Sequence, residues 1–186
     1  MINESMMMHG TDYAGEDLAG WWYSEKLNGV RAYWDGSSMW TRGGREVAIP
    51  AAWRAALPAD LQLDGEIWAG YGGFETARLA AQCGRFTPVV QFMAFDVNVR
   101  LSLEARIAVV RAAMQAMEAT HCGRAVAYWR CWSTVQALAE TVRVRLAGGE
   151  GLVAHHPDNV YRPGLSRQIL KLKDPANVYE LTQEVK

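Results

Sequence analysis

Apolar and polar positions alternate along residues 61–68, the pattern of a half-buried strand, except at Asp64-Gly65 in its middle. Residues 89–97 (VVQFMAFDV) are almost continuously apolar and read as a buried strand. Aromatic residues make 21–28 a third strand. Residues 30–34 and 38–42 flank Asp35-Gly36, a hairpin turn signal. Pro50 opens a short helix over 51–57, which Pro58 ends. Gly72-Gly73 precede a helix over 74–83. Ser102 caps a helix reaching about 119, with Glu104 and Arg106 in its first turns, and Ser133 caps another that runs to Leu146 and stops at Gly148-Gly149. Further strands are predicted at 125–132, 151–155, 169–173 and 178–183, with a turn-rich loop at 161–166. Residues 1–20 are polar and read as a loop or arm. Meanders with interspersed helices predict an α+β fold of mostly antiparallel sheets flanked by helices.

Length and composition narrow the picture. The chain has 186 residues, half of them hydrophobic, enough for one domain with a sizeable core. Eight tryptophans are more than a core needs, so some should line a groove. The net charge of −1 gives no global attraction to nucleic acid, and any such binding must come from a local cluster of arginines and lysines. Three cysteines without a C-x-x-C argue against a disulfide framework or zinc site and suit a reducing compartment. The N-terminus lacks the basic and apolar regions of a signal peptide, and no apolar run approaches a membrane span. The expected location is the cytoplasm, with no membrane partner.

Candidate chemistry starts at 24–31, Ser-Glu-Lys-Leu-Asn-Gly-Val-Arg. Lys26 stands before an Asn-Gly turn signal, among Trp22, Leu27, Val30 and Tyr33, with Arg31 five residues on. Partial burial and a neighbouring cation both favour a neutral amine, which is a nucleophile toward phosphorus or carbonyl carbon. Glu66, Asp96, Glu150, Lys171 and Lys173 also interrupt or end apolar strands. Carboxylates are rarely buried without a partner or metal. Together with Arg31 and Arg42 these residues predict two or more sheets lining one polar groove. Its cations would make an anion site, and Glu66 and Glu150 could hold Mg²⁺ through few direct oxygens. Phe95 could stack on a base.

Six pieces occur in succession: Lys26-Leu27-Asn28-Gly29-Val30-Arg31, Thr41-Arg42-Gly43-Gly44, Leu63-Asp64-Gly65-Glu66, Phe92-Met93-Ala94-Phe95-Asp96, Glu150-Gly151-Leu152-Val153 and Lys171-Leu172-Lys173. Their order resembles the covalent nucleotidyltransferase superfamily, and within it the adenylation domain of the minimal ATP-dependent DNA ligases of bacteria and phages. The resemblance spans residues 24–173. It implies an ATP-grasp-like domain around a nucleotide-binding groove, with ATP as AMP donor and Mg²⁺ or Mn²⁺ as cofactor. Lys26 would become lysyl-AMP, with Lys171 and Lys173 stabilising charge on the α-phosphate. Glu25, Arg31, Arg42, Glu66 and Phe95 would bind nucleotide, Arg31 and Arg42 with a share in phosphate contacts. Glu150, with Glu66, would bind metal. The partner would be nicked double-stranded DNA, sealed by a monomer in the cytoplasm of a bacterial host. An RNA ligase, a capping-type nucleotidyltransferase and a non-catalytic nucleic-acid-binding relative are the rival readings.

Two departures from the family pattern stand out. Asn28 occupies a position where aspartate is usual. A carboxylate there would favour the ammonium form of Lys26, so asparagine is compatible with a neutral nucleophile. The residues after Lys173 are too few for the OB-fold that follows in such ligases. The expectation is an adenylyltransferase domain over 1–186 without an OB-fold, with a separate OB-fold or DNA-binding protein as a candidate partner.

Overall fold

The computed structural model describes residues 6–173. In chain order the strands are β1 (Met8–Asp12), β2 (Trp22–Glu25), β3 (Val30–Trp34), β4 (Met39–Thr41), β5 (Glu46–Val47), β6 (Leu63–Trp68), β7 (Gln91–Val97), β8 (Gly123–Ala125), β9 (Tyr128–Arg130), β10 (Leu152–His155) and β11 (Gly164–Leu172). The helices are α1 (Ala51–Ala56), α2 (Phe74–Cys83), α3 (Leu103–Ala113), α4 (Gln115–Ala119) and α5 (Thr134–Leu146). One sheet has the order β1-β11-β10-β2-β9, the other β5-β4-β3-β6-β7-β8. All pairings are antiparallel except β1 with β11 and β7 with β8. The predicted α+β class is the one observed.

Each sheet buries one face against helices. In the first, Tyr23, Leu152, Ala154, Leu170 and Leu172 pack with Leu18 and with Ala137, Leu138 and Val144 of α5. In the second, Trp34, Leu63, Ile67 and Phe92 pack with Trp53 of α1, Ala77 and Ala80 of α2, and Val110, Met114 and Met117 of α3 and α4. Burying each large apolar side chain contributes about 1.5–3 kcal/mol. The period of two leaves the opposite faces of both sheets for other work. Ser102 and Ser133 cap α3 and α5 as expected, accepting from the N–H groups of Ala105 and Gln136.

The structure departs from the sequence reading where the chain crosses between sheets. The strand expected over 21–28 stops at Glu25, because Lys26 turns its N–H to the carbonyl of Gly151 and the chain passes to the other sheet. The strand expected over 125–132 is two strands in different sheets: β8 extends β7, and β9 pairs with β2. The helix expected over 102–119 breaks at Met114 into α3 and α4. The arm expected over 1–20 contains β1, whose Met8 and Gly10 are buried, and the loop expected over 161–166 contains the start of β11. Those two strands pair with each other. The strand predicted over 178–183 lies outside the described residues. No helix among the described residues is long and apolar enough to cross a membrane.

Candidate active site

A cavity of about 680 Å³ lies between the sheets, and all nine residues to which the resemblance assigns a role line it, as does Asp96. Glu25 and Lys26 come from the end of β2, Arg31 from β3 and Arg42 from the β4–β5 turn. Glu66 comes from β6, Phe95 from β7, Glu150 from the segment before β10, and Lys171 and Lys173 from the end of β11.

Backbone contacts gather the reactive end. Gly151 has φ +129°, and a Cβ there would lie 2.0 Å from the carbonyl oxygen of Leu172, so only glycine permits the approach. Lys26 N–H donates to the carbonyl of Gly151 at 2.9 Å. Leu152 pairs with Glu25 on one side and Leu172 on the other. Lys26, Glu150 and Lys171 are therefore neighbours because three strands are. Lys26 Nζ lies 2.6 Å from Glu150 Oε1. This corrects the expectation that Lys26 sits beside a cation: its ion-pair partner is a carboxylate, and Arg31 is engaged elsewhere. Burial, with Lys173 adding to it, pulls Lys171 below the ordinary lysine range. Lys173 itself stands 3.8 Å from Asp12 of β1.

Arg31 forms a two-pronged pair with Asp64, through Nε at 3.0 Å and Nη2 at 2.6 Å. Nη2 also donates to the carbonyl of Met8 at 2.6 Å. Burial opposes the guanidinium charge, but Asp64 outweighs it and holds Arg31 above its usual range. Asp64 also accepts from the Tyr161 hydroxyl at 2.9 Å. Arg31 is thus locked in the wall, with its guanidinium carbon 5.3 Å from the centre of the Phe95 ring. Asp64 lies in a stretch already singled out, but its role as the anchor of Arg31 was missed.

A bulge sets the base-stacking candidate. Asp64 pairs with Asp96 and Gly65 with Ala94, so Phe95 has no partner across the ladder. The extra residue turns both Phe95 and Asp96 toward the cavity, while Phe92, Ala94 and Val97 stay in the core. Asp96, expected as a free groove carboxylate, is instead bound by the fully buried Arg106, whose Nε lies 2.7 Å from Oδ1. Arg106 also donates to Asn159 and to the carbonyl of Leu101. This pair is structural, and the sequence reading missed its arginine.

Glu66 accepts from the Gly29 N–H at 3.0 Å. A Cβ on Gly29 would lie 2.2 Å from the carbonyl oxygen of Ile67, which explains glycine here. Burial pushes the Glu66 carboxyl up to about 8, with Arg31 and Lys26 opposing it. The raised folded-state value means that, between the ordinary carboxylate range and about 8, the unfolded chain has released this proton and the folded chain has not. Stability from this group therefore falls as pH rises through that window, by at most about 1.4 kcal/mol per pH unit. Glu66→Gln removes the effect. Thermal denaturation of variant and parent at pH 5 and pH 8.5 should show the variant gaining relative stability at the higher pH. A difference that does not change with pH contradicts the assignment.

The cavity has members that were not singled out. Phe74, Arg78 and Gln82 of α2 line it, and their spacing of four puts them on one helical face, a signal available in the sequence. Arg45, Ser24, Tyr128 and His155 line it as well. Among the described residues no three His, Cys, Asp or Glu side chains cluster as a metal site.

No protein-family model matches the chain. It is 29% identical over 176 residues to a DNA ligase of Haemophilus influenzae, covering 92% of this chain and 63% of that protein. The chain thus spans less than two thirds of that curated relative's length. The Chlorella virus DNA ligase-adenylate shares the fold, with a TM-score of 0.76 at 17% identity over 90% of this chain and 68% of that one. A solved structure from work on Lig E DNA ligases, which concerns DNA binding with a minimal scaffold, superposes with a TM-score of 0.78 at 32% identity, over 90% of this chain and 68% of that chain. A common two-sheet fold and this level of identity across most of both chains mean that the chain belongs to the Lig E DNA ligases.

Proposed function

We propose that residues 1–186 act as the adenylyltransferase domain of an ATP-dependent DNA ligase, working on nicked double-stranded DNA as a monomer in the bacterial cytoplasm. The observation that carries this reading is the convergence of Lys26, Glu150, Lys171 and Lys173 in one cavity with Phe95 and Glu66. The Lys26 amine attacks the α-phosphorus of ATP. A nitrogen–phosphorus bond forms, the bond from that phosphorus to the bridging oxygen breaks, and pyrophosphate leaves with the electron pair. Glu150 orients the amine and is a near acceptor for the proton it sheds. Lys171 and Lys173 supply positive charge where the α-phosphate gains negative charge, the largest contribution protein groups make to such transfers. AMP then moves to the 5′-phosphate of a nick, and the 3′-hydroxyl displaces it to form the phosphodiester. Arg42 suits the phosphate-bearing strand, while Arg31, held by Asp64, forms a fixed wall of the nucleotide site.

Magnesium and manganese commonly bind through one or two carboxylates completed by substrate phosphates, and Glu150 suits that mode. Glu66, half-buried and accepting from the Gly29 N–H, suits a ribose hydroxyl and would give the ion a second carboxylate, whose charged form a cation favours. The ion would neutralise phosphate charge.

The test is an intact-mass spectrum after incubation with ATP and Mg²⁺, with GTP in parallel. A single AMP adduct on Lys26 is expected. No adduct, or a GMP adduct alone, overturns the reading. Sealing of a nicked duplex tests the later steps.

Phe95 and Phe92 separate stacking from packing. Phe95→Ala should weaken AMP binding by about 1–3 kcal/mol, the scale of one base stacked on an aromatic ring. Phe92→Ala should chiefly lower stability, by about 3–5 kcal/mol, because its ring is fully buried. Calorimetric titration with AMP and thermal melts distinguish the two. Equal AMP affinity in Phe95→Ala and the parent removes Phe95 from the site.

A further inference from the structure

One polar group in the cavity wall has no part in the roles above. His155 of β10 is 5% exposed and lines the cavity, and its Nδ1 is enclosed without a hydrogen-bond partner. Burial, reinforced by the charge of Arg106, pushes the imidazole down to about 3. The ring is therefore neutral at working pH, with one donor nitrogen and one acceptor nitrogen.

Its position relates it to the nucleotide. The His155 ring meets the Tyr128 ring edge-on, with centroids 5.3 Å apart. The Tyr128 hydroxyl donates to the carbonyl of Phe95 at 2.8 Å. His155 and Phe95 thus stand at the same end of the cavity, joined through one side chain. The cations stand further along: Val153 pairs with Lys171, and His155, two residues on, pairs with Ile169. Residues two apart on a strand share a face, separated by roughly 7 Å. A nucleotide with its phosphate at Lys26 and Lys171 and its base on Phe95 directs the edge of that base toward His155.

We propose that His155 is a specificity-determining residue that reads the base edge and selects adenine over guanine. Adenine presents a bare ring nitrogen beside an amino group, and guanine presents an N–H beside a carbonyl. With no acceptor beside the enclosed Nδ1, a proton there would be unpaired, which favours the tautomer with the N–H on Nε2. That N–H donates to the bare ring nitrogen of adenine and opposes the N–H of guanine, and an opposed buried pair is strongly disfavoured. The inference rests on the nucleotidyltransferase reading above.

The test compares AMP and GMP adduct formation by the parent chain and His155→Gln at equal nucleotide concentrations. The glutamine amide carries a donor and an acceptor and can flip to suit either base. It should lower the ATP-to-GTP adduct ratio about tenfold or more, whatever its effect on the overall rate. An unchanged ratio, or a parallel loss with both nucleotides, overturns the proposal and leaves His155 a structural residue. Histidine ¹⁵N resonances of the parent chain give an independent measure should the variant fold poorly. The His155 signals should move on adding AMP, and signals that stay fixed while AMP binds also overturn it. A parent chain that forms no adduct and binds no AMP refutes the functional reading as well, whereas an adduct with an unchanged ratio refutes the role of His155 alone.

Discussion

Lys26→Ala should give a folded protein that takes up no AMP. Only an amine that can lose its proton makes the phosphorus–nitrogen bond, and among the described residues no other lysine pairs with Glu150. Lys26→Arg should fail equally, because a guanidinium stays protonated. Both variants should fold. The Lys26 and Glu150 side chains are 20% and 27% exposed, and a pair in contact with water contributes at most about 1 kcal/mol. The backbone N–H of Lys26, which bonds Gly151, is retained in either variant. Intact-mass spectra with ATP, beside thermal melts, provide the check. An adduct persisting in Lys26→Ala identifies a different nucleophile.

Arg106→Leu produces the largest loss of stability expected of any single change here. Its guanidinium is 0% exposed and binds Asp96, which is 3% exposed. The substitution leaves that carboxylate without its cation and strips the donors from Asn159 and the Leu101 carbonyl. Removing one member of a buried pair costs about 3–5 kcal/mol, chiefly from the uncompensated charge. Adding Asp96→Leu should recover part of the loss, because the orphaned charge disappears. Urea unfolding midpoints of the single and double variants measure both effects. A loss of under about 1 kcal/mol in the single variant means that water or another cation reaches Asp96.

Much of the site was legible because its chemistry is local. Lys26, Glu66 and Glu150 interrupt apolar strands, and such interruptions are costly unless the polar group faces a cavity or a partner. What escaped was long-range. Asp64 and Asp96 look alike along the chain, yet each is claimed by a different arginine: Arg31 on a neighbouring strand, and Arg106 on a helix where it resembles any surface charge. β1 was hidden because its partner, β11, lies some 150 residues away and because its short polar sequence has no strand signature of its own. In β7 simple alternation puts Phe95 and Asp96 on opposite faces, and only the bulge against β6 brings both to the cavity. The single strand expected over 125–132 failed for a similar reason: nothing in its composition marks the point where the chain leaves one sheet for the other.

The lacing of β2, β10 and β11 by Lys26 N–H and Gly151 has a practical corollary. Main-chain atoms set the spacing of Lys26, Glu150 and Lys171, while the chemistry proposed for them belongs to their side chains. Frame and reagents are therefore separable. The reactive groups can be exchanged in combination, for inert or tagged ones, without redrawing the surrounding architecture. One added methyl group at Gly151, which carries no reactive atom, would pry apart the strand ends on which all three depend.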